Sequence, residues 1–218
     1  MIPKVINFIW IGPQMPDWAV DNIALFRKQN PAYGVVVHGD SVLLPEFRAA
    51  YEGIRGEHVY ARRSDLLRIS VLLNEGGWYF DTDFLPIRPL DELCDNYNGF
   101  PKGCFVTHGS HIGKRPWIAN GVIGTEPHSD FMRLICEGIK SKATALKSLS
   151  WGTFGPTLYT ELAEKNPKCV HVGLLDDFYR IQDRKKSMAS YRRIREAGYS
   201  QEAIIRELGE PLPFFMHQ

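Results

Sequence analysis

The chain has 218 residues, 44% of them hydrophobic and 23% charged. Those are the proportions of a globular protein able to bury one large core, and they exclude a disordered or fibrous chain. A formal net charge of +1 excludes holding nucleic acid by an overall basic field. The scattered cysteines Cys94, Cys104, Cys136 and Cys169 have neither CxxC nor metal-finger spacing and read as reduced structural thiols.

The opening "MIPKVINFIWIG" has one lysine before a short apolar run. Pro3, Asn7 and the lack of a small-residue cleavage site do not follow the plan of a secretory signal. No window reaches the roughly 18 apolar residues of a membrane span, so the expectation is a cytoplasmic protein, or one exported by a route the sequence does not announce. "KVINFIWIG" predicts a buried strand closed by Gly12-Pro13. "PDWAVDNIALFRKQNP" predicts a helix with Asp17 as N-cap, Trp18, Ile23 and Phe26 at helical spacing, and Asn30-Pro31 as its stop. "YGVVVHGD" predicts a second buried strand, and strand, helix, strand in that order points to a parallel α/β sheet. "ARRSDLLRISVLLNEGG" predicts a helix with Leu66, Ile69, Leu72 and Leu73 on one stripe and Gly76-Gly77 as terminator. "WYFDTDFLPI" predicts an extended segment ended by Pro86. Further strands are expected at "GCFVTH", "IANGVIG" and "KCVHVG", and helices at "HSDFMRLICEGI" and "PTLYTELAEK". Beyond residue 183 the composition turns polar and basic. Residues 184–210 read as a helical hairpin about Gly198, with Ser200 as N-cap of its second helix, and 211–218 as a strand returning to a core formed by 1–183.

The stretch "GGWYFDTDF" carries the chemistry. On an extended strand, residues two apart share a face, so Asp81 and Asp83 would present two carboxylates together. Adjacent carboxylates repel, and a hard divalent cation relieves them while keeping positions open for phosphate oxygens. A solvated turn after an aromatic strand is the other outcome, and the pair alone does not choose between them. Asp65 and Arg68, three apart on one helix face, are delivered toward the pair by the same helix. They read either as a hydroxyl acceptor and a phosphate-binding guanidinium or as a wet intrahelical ion pair.

Taken together, "IPKVINFIWIG", "RRSDLLRISVLLNEGGWYFDTDFLPI" and "NGVIGTEPHSDF" resemble the glycosyltransferases with a DXD-containing sugar-binding region. That group includes yeast initiating mannosyltransferases, capsular-polysaccharide sugar transferases and, more distantly, the glucosyltransferase domains of large clostridial toxins. The resemblance is tight over residues 60–90 and loose over 1–180. It implies an α/β fold of GT-A type, with a mixed, mostly parallel central sheet flanked by helices and here a C-terminal helical addition. It implies a nucleotide-sugar donor, a UDP-sugar ahead of a GDP-sugar, a carbohydrate, lipid-linked or protein acceptor, and Mn2+ or Mg2+ as cofactor. By the same resemblance Trp10 stacks on the nucleobase, Tyr79 lies beside the nucleoside, and Asp65 and Arg68 hold donor sugar and phosphate. Asp81 contacts ribose, sugar and metal, Asp83 is the direct metal ligand, and Asn120 lies near the reacting face of the sugar. His217, in "LPFFMHQ", is the candidate third ligand, without the tryptophan-bearing segment that follows such a histidine in relatives. "SWGTFGPTLYT", with Trp151 and Gly155-Pro156, resembles an acceptor-side segment able to form part of a lid. The implied activity is metal-dependent sugar transfer to a hydroxyl with retention of anomeric configuration.

Two other classes compete. A phosphatase using DTD as nucleophile and acid would want threonine or valine where Leu85 stands. A non-catalytic binder of nucleotide sugar, nucleic acid or an anionic surface would use "YRRIREAGYSQEAIIRELGE" as a helix-turn-helix-like tail. Near-neutral overall charge argues against nucleic acid, which leaves peripheral membrane contact through 184–195 or simple packing for the basic hairpin.

Overall fold

The computed structural model describes residues 1–56, 58–112, 115–143, 152–181 and 183–217, and Trp151 lies outside them. A six-stranded sheet runs in the order β2-β1-β3-β6-β5-β7. Here β1 is Val5–Ile9, β2 Gly34–His38, β3 Gly77–Phe80, β5 Cys104–Ile112, β6 Arg115–Thr125 and β7 His171–Gly173. The β1–β2, β1–β3 and β5–β7 pairs are parallel, and β3–β6 and β5–β6 antiparallel, so the sheet is mixed and mostly parallel. A small second sheet pairs β4 (Phe84–Pro86) antiparallel with β8 (Phe215–His217).

Period-two alternation divides the core. Trp78, Phe80, Ile6, Phe8 and Val122 point to one face, where they meet Ile23 and Phe26 of α1 (Asp17–Gln29) and Phe215 of β8. Tyr79 and Ile123 point to the other, against α3 (Val59–Asn74), α5 (Asp130–Ala143) and α6 (Pro156–Lys165). Residues 66–72 of α3 are buried all round, because α3 lies between the sheet, α5 and the short helix α2 (Arg48–Gly53). The helix α4 (Leu90–Asn96) completes the middle of the chain. The C-terminal helices α7 (Arg184–Glu196) and α8 (Gln201–Leu208) are not a loose appendage: Tyr191, Ile194, Ile204 and Leu208 pack with Leu85, Ile87 and Met216. Ser200 caps α8 by accepting from the Ala203 amide.

Three expectations are corrected. Pro16 is the N-cap of α1, and Asp17 is the first helical residue, where its charge still favours the helix start. β2 is an edge strand rather than a buried one, with Val36 41% and Val37 40% exposed. The DXD pair does not lie on one extended strand: Thr82 and Asp83 form a turn between β3 and β4, closed by the Phe84 amide donating to the Asp81 carbonyl at 3.2 Å. Of the basic tail residues, Arg193 is spent on Glu207 and Arg195 on Asp21, which reduces what the hairpin can offer an anionic surface.

The passage from α3 to β3 requires both glycines. Gly76 and Gly77 have φ of +65° and +92°, and a Cβ on Gly77 would stand 2.8 Å from the Val5 carbonyl oxygen. The buried Asn7 amide fastens the bend by donating to the carbonyls of Gly76 and Trp78. Gly77→Ala is therefore expected to destabilise the fold by about 2–4 kcal/mol, against about 1 kcal/mol for Gly198→Ala, where φ is also positive but space is open. Urea unfolding midpoints compare the two, and equal losses would contradict the steric account.

Candidate active site

A cavity of about 600 Å³ opens where β1 and β3 end, bounded by the loop after β1, the start of α1, the first turns of α3 and the turn after β3. Trp10, Asp65, Arg68, Tyr79, Asp81, Asp83 and Asn120 all line it, as do Trp18 and Tyr60. Thus seven of the eight residues predicted for the site share one cavity, and the eighth, His217, touches Asp83.

Arg68 is the hub. It is 4% exposed, projects from α3 toward the sheet, and lies 4.4 Å over the Tyr79 ring. One terminal nitrogen donates to the Asn120 carbonyl; the other donates to Asp81 Oδ1 at 2.8 Å and to the Tyr79 hydroxyl at 3.2 Å. The Tyr79 hydroxyl in turn donates to Asp81 Oδ1 at 2.6 Å, a contact that follows from residues two apart sharing a sheet face. Burial alone would make Arg68 easier to deprotonate, but Asp81, Tyr79 and Asp65 outweigh it and hold the guanidinium charged. Both terminal nitrogens of Arg68 thus face protein groups.

Asp65, one turn before Arg68, accepts from the Asn120 amide at 2.7 Å and lies 3.5 Å from Arg68. It is 13% exposed, so the intrahelical ion pair with Arg68 forms but is buried rather than wet. Burial pushes its carboxyl up to about 6, with Arg68 and Asn120 opposing. Asp81 is also raised, by burial first, again with Arg68 opposing. Backbone presses close on both acids. A Cβ on Gly155 would stand 2.8 Å from the Asn120 amide nitrogen and 3.1 Å from Asp65, and one on Gly121 would stand 2.8 Å from Asp81 Oδ2.

On the far side of the turn, Asp83 Oδ2 lies 3.3 Å from His217 Nε2, because β8 pairs with β4 in a register that sets His217 opposite Phe84. The imidazole sits between the rings of Phe84 and Tyr179, at 5.0 and 5.1 Å. A divalent cation fits this donor set: Asp83 Oδ1 is buried with no hydrogen-bond partner, and carboxylate oxygens are its preferred ligands. Among the described residues no group of three His, Cys, Asp or Glu is gathered tightly enough to hold a cation alone. Part of its shell would therefore come from a ligand's oxygens. Trp10 is half-buried at the cavity wall, its indole N–H donating to the Pro13 carbonyl at 2.6 Å, which leaves the ring as a wall of the cavity.

Sequence reasoning missed Gly121, Tyr179 and Asn22. Gly121 had a readable signal, since glycine inside a strand marks a close approach. Asn22 had one too, as a polar residue in the stripe Ala19, Ile23, Phe26. Tyr179 lies in a loop nearly a hundred residues from the acids it covers and carried no local pattern.

Residues 16–100 match the family described as glycosyltransferase sugar-binding region containing DXD motif. The human alpha-1,4-N-acetylglucosaminyltransferase is 28% identical over 120 residues, which is 55% of this chain and 28% of that protein. The solved PaToxG glycosyltransferase matches with TM-score 0.60 at 20% identity, over 96% of this chain and 79% of that one. The UDP-bound glycosyltransferase domain of the YGT toxin matches with TM-score 0.51 at 11% identity, over 94% and 90%. This chain spans 7% to 28% of the length of the curated relatives it matches. Its fold is that of the GT-A-type glycosyltransferases, and the family match, confined to residues 16–100, covers less than half of the chain.

The raised Asp65 carboxyl has a measurable consequence. An acid whose pKa is higher in the folded state binds protons there that the unfolded chain has lost, so stability is greatest at the acid end and falls as pH rises from about 4 through about 6. The Asp65 contribution is on the order of 2–3 kcal/mol. Between about pH 4 and about pH 7, urea unfolding is expected to show Asp65→Asn losing less stability, or gaining more, than the unaltered chain. An unchanged difference would contradict a buried, proton-hungry Asp65.

Proposed function

We propose that this chain transfers a sugar from a nucleoside diphosphate sugar, a UDP-sugar ahead of a GDP-sugar, to an acceptor hydroxyl, with retention of anomeric configuration and a bound Mn2+ or Mg2+. The observation that carries this reading is the grouping of Asp65, Asn120, Asp81, Asp83 and Trp10 around one cavity large enough for a nucleotide sugar. The family match and the UDP held by a protein of like fold support it.

In this reading the Trp10 ring stacks on the base, a contact worth about 1–3 kcal/mol. Asp65 and the Asn120 amide, already bonded to each other, offer acceptor and donor atoms to sugar hydroxyls and so fix the anomeric carbon relative to the acceptor. Arg68 acts at one remove: it holds Asp81 and the Asn120 backbone still, and its buried charge offsets negative charge building on the diphosphate as the glycosidic bond breaks. Asp83, with Asp81 and His217 beside it, would hold the cation. When bound, that cation supplies Lewis-acid stabilisation of the departing diphosphate. Retention, which the family resemblance implies, would proceed by attack on the face the diphosphate leaves, without a covalent protein intermediate. Lys185, Lys186 and Arg192, exposed on α7, remain available to an acidic acceptor or membrane surface.

The test is incubation with a panel of nucleotide sugars with and without Mn2+, reading nucleoside diphosphate release. Release is expected for one donor and only with the metal. Asp83→Asn should lower turnover by about 100-fold or more while leaving the unfolding midpoint within about 1 kcal/mol of the unaltered chain. Unchanged turnover of that variant at saturating Mn2+ would overturn the reading. Trp10→Ala should raise KM for the donor by roughly 10- to 100-fold with kcat little changed, the signature of lost uniform binding, and a loss confined to kcat would contradict stacking.

A further inference from the structure

The turn that carries Asp81 and Asp83 is held from behind by residues outside the cavity, and these trace to the C-terminal hairpin. Asn22 of α1 is fully buried, and its Nδ2 donates to the carbonyl of Thr82 at 2.9 Å. That carbonyl belongs to the middle residue of the DXD turn, so its orientation sets the plane of the Thr82–Asp83 peptide. The remaining atom of the same amide, Oδ1, accepts from the Tyr191 hydroxyl of α7 at 3.0 Å. One side-chain amide thus joins α7 to the DXD backbone, with its two functions used in opposite directions. A second tie reaches the other side of the turn. Ser187 of α7, 1% exposed, donates its hydroxyl to the carbonyl of His217, and His217 is held opposite Phe84 by the β4–β8 pairing. Arg195 closes the frame by bonding Asp21 at 3.0 and 2.7 Å, pinning α7 to α1 one residue before Asn22.

A buried amide with both functions satisfied costs little, whereas one left with a missing partner costs about 1–3 kcal/mol. The frame is therefore a set of matched bonds that hold together or loosen together. A small loss of order at Thr82 would separate Asp83 from His217, which face each other at 3.3 Å.

We infer that Asn22, Tyr191 and Ser187 are positioning residues for the cation, and that the α7–α8 hairpin is part of the metal site rather than an addition to a complete catalytic core. The inference rests on the reading that Asp83 and His217 hold a divalent cation. It separates two functions of the cavity. Cation affinity depends on α7, whereas nucleoside binding on Trp10 does not, since no bond in the frame reaches the loop after β1.

The experiment uses the whole chain and three variants, Asn22→Leu, Tyr191→Phe and Ser187→Ala. Mn2+ binding is read from the electron paramagnetic resonance signal of the free ion in the presence of UDP, and UDP binding is read separately by calorimetry in EDTA. Asn22→Leu is expected to weaken Mn2+ by roughly 10- to 100-fold, the range for loss of groups that orient metal ligands. Tyr191→Phe and Ser187→Ala should weaken it several-fold, while UDP binding in EDTA stays within about twofold for all three. Hydrogen exchange at the amides of residues 81–84 without metal should quicken by up to about tenfold in the same variants. If Asn22→Leu does not fold, the two milder variants decide. Folded variants that bind Mn2+ as the unaltered chain does would overturn the inference while leaving the cation reading intact. No Mn2+ binding by the unaltered chain would overturn both.

Discussion

A guanidinium buried to 4% exposure needs acceptors to hold its charge in the interior, and the order of the cavity wall follows from supplying them to both terminal nitrogens of Arg68, whose Nε is buried without a hydrogen-bond partner among the described residues. Its acceptors are Asp81, the Asn120 carbonyl and the Tyr79 hydroxyl, with Asp65 at 3.5 Å. These come from α3 itself, from β3 and the turn that follows it, and from β6, so one side chain ties α3 and β3 to a strand residue 52 positions further along the chain. The positive charge also explains how two acids can lie in a partly buried wall: each is pushed toward protonation by burial and drawn back by Arg68. Without it the carboxylates would have little reason to remain charged, and a cation or diphosphate would meet a neutral pocket.

Around that hub the backbone is brought unusually close. Gly155 and Gly121 allow main chain to lie against Asp65 and Asp81 where any side chain would intrude, which limits the rotamers open to each acid. On the outer side of the turn, constraint comes from α1, α7 and β8 instead. The two sets differ in kind. The inner one is electrostatic and centred on charge, and the outer one is a run of neutral hydrogen bonds through Asn22, Tyr191 and Ser187. The proposed transfer, which needs a fixed face toward a sugar while a charged diphosphate enters and leaves, would be served by that division.

Much of this was legible in the sequence where a local rule had a physical cause. Gly76-Gly77 marked the bend because positive φ there leaves no room for a Cβ, against Pro127 and the Thr125 carbonyl at Gly76 and against the Val5 carbonyl at Gly77. The i, i+3 spacing of Asp65 and Arg68 placed them on one face, and the alternation of Trp78, Tyr79 and Phe80 set one aromatic toward the site and two toward the core. The turn at Thr82-Asp83 escaped because an aromatic-rich run favours extended backbone, whereas the Asn22 bond to Thr82 and the hydrogen bond closing the turn favour a bend there. The burial of Arg68 escaped for a similar reason: an acid and a base three apart read as a surface pair until the sheet and α5 close over the helix. His217 illustrates the reverse. Its placement beside Asp83 depends on β4–β8 pairing between segments more than 130 residues apart, and only the strand-like character of the run before it hinted at that.

The measurement that bears most directly on the cavity as a cation-dependent nucleotide-sugar site is a diffraction structure of the chain with UDP and Mn2+. The account predicts the base against Trp10, the diphosphate and Asp83 sharing one Mn2+, and Arg68 still bonded to Asp81. A nucleotide seated in the cavity with no cation touching Asp83, or one bound elsewhere on the chain, would contradict it.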